Sequence, residues 1–161
     1  MAVGDTTITW FGQQVFVAAT KQNIKAMKDA TYEVEKHVVN NFTVPGTGNT
    51  YKRSKGKKNK RTKYHRASLP GQPPSVDEGI LRGSIDSFVD TKESVFGRDR
   101  IDGRVGPDID KIRAKAEAGT DVEYGYYLEV GTKNMRARPY LVPALRACQK
   151  KIKKIFVDAN K

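Results

Sequence analysis

Two histidines and one cysteine are all that the 161-residue chain offers of the residue types most often used as bases, thiol nucleophiles and soft metal ligands. His37 lies in a stretch of helical periodicity and His65 inside a run of positive charge, and neither has a second ligand at metal-site spacing. Phosphate chemistry fares no better. "GTGN" from Gly46 and "GKK" from Gly56 do not complete a phosphate-binding loop, and no G-x-G-x-x-G follows a strand. A nucleophile elbow, G-x-S-x-G, is missing as well. Asp99, Asp102, Asp108 and Asp110 cluster, but not at calcium-loop spacing, so they read as turn residues. The expectation is a protein that is not an enzyme, with no catalytic residue, no cofactor and no metal.

The residues that do stand out are cations. Lys52, Arg53, Lys55, Lys57, Lys58, Lys60, Arg61, Lys63 and Arg66 lie within fifteen positions, and no acid occurs between Lys36 and Asp77. Without those nine, 21 basic residues face 18 acidic ones, so the net charge of +12 belongs mostly to one arm on a near-neutral body. Tyr51 and Tyr64 bracket the run. Aromatic rings among cations can stack on bases while Lys and Arg meet phosphates. The plainer reading is a solvated or inter-subunit loop, and the near-neutral body favours it, because nucleic-acid domains spread basic surface over the fold. A second polar group is Glu129 with Arg136 and Arg138, where an arginine is placed to pair with Glu129 or with a partner subunit.

The elements that must position these groups form an α+β pattern. "TTITW", 6–10, reads as a short strand. Val15, Ala18, Ala19, Met27, Ala30, Val34, Val38 and Phe42 recur at helical steps, which predicts a long helix over 13–42, interrupted near Thr20 and ended by Pro45 and Gly46. Residues 44–79 hold Gly, Pro, Ser, Lys and Arg and little to bury, so this arm is expected to be mobile alone and to be ordered by a neighbouring subunit. Order returns at Ile80 with two strands joined near Gly97. Their apolar residues are Ile85, Phe88, Val89, Val95, Phe96, Ile101 and Val105. "KIRAKAEAGTD" predicts one or two helical turns ending at Gly119, and "YGYYLEVGT" is a short apolar piece closed by Gly131. A C-terminal helix follows, with Pro143 in its first turn and an apolar stripe of Leu141, Leu145, Cys148, Ile152, Ile155 and Phe156. On this stripe Leu145 is expected in the core, and Cys148 is a small core residue rather than a reactive thiol. The chain is one domain, 1–161, with its arm inserted between helix and sheet. "MAVGDTTITWF" lacks the charge and apolar run of a signal peptide, no run is long enough to span a bilayer, and no membrane partner is expected.

Two stretches resemble a known family. "HRASLPGQPPSVDEGILRGSI" is similar to the first signature, and "YYLEVGTKNMRARPYLVPAL" to the second signature, of the tail-completion, or head–tail joining, family of phages with long non-contractile tails. The matching residues are Pro70, Pro73, Pro74, Asp77, Gly79, Leu81 and Arg82 in the first, and Glu129, Gly131, Thr132, Arg138 and Pro139 in the second. Glu78, Leu128, Val130 and Arg136 depart from the pattern. The resemblance implies a structural virion protein of the phage neck, assembled in the bacterial cytoplasm. It implies a homo-oligomeric ring, a hexamer, with the tail tube protein and the head-completion (stopper) protein below the portal as partners. DNA would transit the lumen. The alternative is a nucleic-acid-binding module that uses the 52–66 arm.

Overall fold

The structure, a computed structural model, describes residues 12–42, 46–52, 64–92, 100–115 and 123–161. It is α+β. In chain order the elements are α1 Gly12–Asn41, β1 Thr50–Lys52, β2 Tyr64–Arg66, α2 Ile80–Ser84, β3 Ile85–Lys92, β4 Arg100–Pro107, α3 Ile109–Lys115, α4 Tyr124–Val130 and α5 Leu141–Ala159. The strands form two separate antiparallel pairs, β1 with β2 and β3 with β4. The strand expected at 6–10, the turn at Gly97, the helix end at Gly119 and the seven cations from Arg53 to Lys63 lie outside the described residues.

The long helix forms because its apolar residues fall four apart. Ala26, Ala30, Val34, Val38 and Phe42 are all buried, one above another on a single face. It runs unbroken through Thr20, contrary to the expected interruption. Thr20 starts no break because a β-branched residue costs only a few tenths of a kcal/mol in a helix. α5 packs antiparallel to α1. Tyr140 packs at a tilt against Phe42 with ring centroids 5.1 Å apart, Cys148 Sγ lies 3.8 Å from the Glu33 carbonyl, and Asn160 donates to Asn23. The small residues Ala26, Ala30, Ala144 and Cys148 are all buried. Burial pushes the Cys148 thiol up, which keeps it protonated.

The apolar stripe of α5 departs from expectation at one position. Leu145 is 49% exposed, and the buried line runs instead through Ala144 and Cys148, with Leu141 and Ile152 packed beside it. One residue is 100° of helix, so Leu145 sits on the flank of the line rather than on it. Leu145→Asp therefore buries no charge.

The β3–β4 hairpin lies against another flank of α1. Its register pairs Val89 with Gly103 and Ser87 with Val105. The Ser87 hydroxyl donates to Glu35 at 2.6 Å, which fixes these pairs as the α1-facing set. Gly103 makes the approach possible, since a Cβ there would come within 2.6 Å of both Met27 Sδ and Thr31 Cγ2. The segment 80–84, expected to open the first strand, is instead the short helix α2. Gly79 enters it in a left-handed conformation, Ser84 Oγ donates back to Leu81 O at 2.8 Å, and Leu81 and Ser84 are buried. A strand would have turned one of those two residues outward.

Two ion pairs tie the surface down. Lys151 Nζ lies 2.6 Å from Glu33, and Lys111 pairs with Asp86. The Lys151 ammonium holds the Glu33 carboxyl below its ordinary range, and the Lys111 hydrogen bond, helped by the Ser87 amide, does the same for Asp86.

Gly103→Val should lower stability by about 1–3 kcal/mol, because Met27 can turn aside but the stiff Thr31 cannot. A chemical-denaturation midpoint equal to wild type would refute the close approach. The ion pairs set the acid behaviour. Depressed carboxyl values contribute stability that is complete above the unfolded values near ~4 and is lost as pH falls through the folded ones. Thermal melts should therefore stay level from pH 6 to about 5 and decline from there to pH 2, and Lys151→Met should make that decline shallower.

Candidate functional site

The first turn of α5 carries a problem that its own sequence does not solve. An α-helix leaves its first four N–H groups without intrahelical acceptors. Tyr140 is the N-cap residue and offers no side-chain acceptor, and no acid stands in the first turn. The solution comes from α4. Glu129 accepts the backbone N–H of Tyr140 at 2.7 Å, of Leu141 at 3.0 Å and of Val142 at 3.0 Å. The fourth position is Pro143, which has no N–H to satisfy. All four positions are thereby accounted for, and a carboxylate sits at the positive end of the helix dipole. Glu129 is thus not an arginine's ion-pair partner but the cap of α5.

The turn between the two helices delivers that geometry. "YGYYLEV", an apolar piece in the sequence, is the helix α4, which ends at Gly131 with φ 82°, a left-handed backbone that favours glycine. Thr132 and Met135 close a small bridge, and the Arg138 amide donates to Leu128 O at 2.7 Å. Tyr140 is fully buried, and its hydroxyl donates to Gly125 O at 3.2 Å. Burial pushes its phenol far above the ordinary tyrosine value.

The two stretches that resemble family signatures meet here, about seventy positions apart in the chain. Arg138 Nε donates to Ser68 O at 3.1 Å, and the Gly71 amide donates to Ala137 O at 2.9 Å. Residues 67–79 of the arm are therefore docked on their own chain, which corrects the expectation that the whole of 44–79 leaves for a neighbour. The physical reason is that the loop's carbonyls find internal donors, and Pro74 and Ser68 are buried. β1 and β2 extend this docked base as a ribbon, with Thr50 opposite Arg66 and Lys52 opposite Tyr64, all four exposed. Lys52 and Arg66 thus stand at the root of the arm, and Arg66 Nε donates to Gly48 O.

Between ribbon, loop and α4 lies a cleft of about 590 Å³. Phe42, Leu81, Tyr124 and Leu128 give it an apolar wall, and His65, Arg82 and Arg138 line its polar side. The Ser68 hydroxyl, also lining it, is buried without a hydrogen-bond partner. Asp77 and Gly79 are on its rim, while Pro70 is exposed on the loop and Pro73 half-buried. Thr132 and Pro139 belong to the α4–α5 turn, where Thr132 Oγ1 accepts from the Met135 amide.

One constellation here was not visible in the sequence. His65 Nε2 lies 3.3 Å from Ser75 Oγ, and His65 Nδ1 lies 3.6 Å from Asp77 Oδ1. The residue types are those of a serine nucleophile with its base and orienting acid. The polarity is opposite, however. Ser75 donates its only proton to Arg66 O at 2.8 Å, so it can only accept from the ring. The trio works as a clasp between β2 and the 75–77 turn. Among the described residues no cluster of three His, Cys, Asp or Glu side chains is placed to hold a metal ion, and no helix is long and apolar enough to cross a membrane.

No protein-family model, no curated protein and no solved structure matches the chain.

Glu129→Ala should cost about 1–3 kcal/mol in urea unfolding, the range for removing a helix cap and leaving donors unpaired. Glu129→Gln, which keeps one acceptor oxygen, should cost less than the alanine variant. Equal midpoints for wild type and Glu129→Ala would show that α5 does not depend on this carboxylate.

Proposed function

We propose that the chain is a structural subunit of a phage neck. In this reading it forms a ring, six-fold in the family it resembles, that completes the head-proximal end of the tail tube. The ring joins the tube to the head-completion protein below the portal, and DNA passes through its lumen. The particle is assembled in the bacterial cytoplasm.

The observation that carries the reading is the meeting of the two signature-like stretches. "HRASLPGQPP" and "YYLEVGTKNMRARPYLVPAL" are distant in sequence, yet they bond to one another through Arg138–Ser68 and Gly71–Ala137 and share one cleft. A chance likeness in two separate segments has no reason to converge on one structural unit. Polar groups there are spent on holding backbone, as Glu129, Arg138 and Ser75 are, which suits a scaffold.

Negative-stain microscopy of the purified protein, alone and mixed with isolated tail tubes of its phage, tests the proposal. Rings, or caps at one end of the tube, are the expected result. The proposal is overturned by bare tube ends together with a monomer that binds duplex DNA with a steep salt dependence, the behaviour of a basic nucleic-acid module.

A further inference from the structure

α5 gives one side to α1 and the core and the opposite side to solvent. At about 100° per residue, Arg146, Lys150, Lys153 and Lys154 fall within a sector of about 100°, across the helix from the buried Ala144 and Cys148. All four are exposed. Cations therefore repeat every ~5–6 Å along the outward side of one straight helix.

No carboxylate answers this charge. Glu33, the α1 acid that meets α5, is taken by Lys151 on the helix flank, and Asp158, the one acid of α5, is taken by Lys161. Glu129 is turned to the first amides of the helix. Among the described residues none of the four cations has an ion-pair partner. Lys133 and Arg136, exposed in the turn before α5, carry the same sign. From Lys133 onward the chain has nine cations against Asp158 alone, so a body that is near neutral in total is strongly basic here.

The composition of the stripe selects the partner. Protein interfaces are depleted in lysine and enriched in aromatic residues, whereas the sector holds, besides its cations, only Ala147, Gln149 and Val157. The exposed Val142 and Leu145 precede it, in the first turns of the helix. A membrane-surface helix needs an apolar face to insert, and the apolar face of α5 is packed in the core. Stacking on single-stranded bases needs rings that the sector lacks. Unpaired cations repeated along a straight helix are suited to the phosphates of duplex DNA, contacted without regard to sequence. We infer that the outward face of α5 is a contact surface for the phosphate backbone of duplex DNA, through Arg146, Lys150, Lys153 and Lys154. The inference rests on the neck-ring reading for where that DNA is met, and α5 is then turned toward the lumen.

Two matched full-length variants test it, both keeping the 52–66 arm and both losing four positive charges. One carries Arg146→Gln, Lys150→Gln, Lys153→Gln and Lys154→Gln. The other carries Lys21→Gln, Lys25→Gln, Lys28→Gln and Lys36→Gln on the exposed side of α1, where Asp29 stands among the lysines. Binding of a labelled duplex of mixed sequence is followed by fluorescence anisotropy across a salt series. The α5 variant should keep the wild-type melting temperature and bind at least about tenfold more weakly at low salt. Its slope of log K against log salt should be shallower by about 3–4, near one per lost phosphate contact. The α1 variant should change that slope by less than about one. Equal losses in the two variants, an unchanged slope in the α5 variant, or a wild-type chain that prefers poly-glutamate to the duplex overturn the inference. Rings and tube caps decide the neck reading separately: their absence together with the expected slopes ends that reading and leaves the DNA surface standing.

Discussion

Glu129 is the point on which the architecture turns. A half-buried carboxylate at the end of a seven-residue helix accepts three amides of the next helix, and a proline occupies the one remaining position. Those bonds fix where α5 starts. The start fixes Tyr140, which fills the space between Phe42, Leu81 and Gly125 and anchors the common core of α1, α2 and α5. Nothing else in the first turn of α5 could replace it, because Tyr140, Leu141, Val142 and Pro143 carry no acceptor side chain suited to capping. A cap supplied from outside the helix also ties two otherwise separate units. α4 is too short to be stable alone, and α5 gains its direction from α4.

From that junction the second tie is Arg138, two residues before Tyr140. Its backbone amide closes onto Leu128 and its guanidinium reaches Ser68, so the arm's base is bolted to the same turn that caps α5. The cleft is the space left between these parts. Of the polar side chains that line it, Arg138 and Ser75 are held by backbone carbonyls, and His65 is clasped by the Ser75 and Asp77 side chains.

Much of the fold was legible because the longest elements have the clearest periodicity. Ala26 to Phe42 repeats every four residues, and α5 has a small-residue line with lysines elsewhere, so both helices follow from spacing. The hairpin followed from its β-branched and aromatic content. What failed has physical causes. α4 is seven residues of Gly, Tyr, Leu, Glu and Val, with weak helix formers and less than two full turns, so no period could show. α2 is five residues, held by a serine back-bond that local pattern does not reveal. Leu145 looked like core because a stripe drawn through large residues passed over Ala144, and burial here favours the small residue at the line's centre. The role of Glu129 could not be read, since the amides that donate to it lie eleven to thirteen positions ahead and the sequence shows only a carboxylate near two arginines. The two segments singled out in the sequence meet in the fold, but nothing in the sequence indicates which bonds join them.

The antiparallel pairing of α1 with α5 has a consequence for how the chain is made. One hundred positions separate Asn41 from Leu141, and contacts such as Asn23 with Asn160 span most of the molecule. At a synthesis rate of roughly 5–20 residues per second, the face of α1 that carries Ala26, Ala30 and Val34 waits roughly 5–20 s for its cover. Local pieces such as the β3–β4 hairpin can close on α1 during that interval, but the other flank stays bare until translation reaches the last helix. The closing of α5 onto α1 is therefore a late, non-local step of folding, and until it happens the face of α1 that carries Ala26, Ala30 and Val34 lacks its cover.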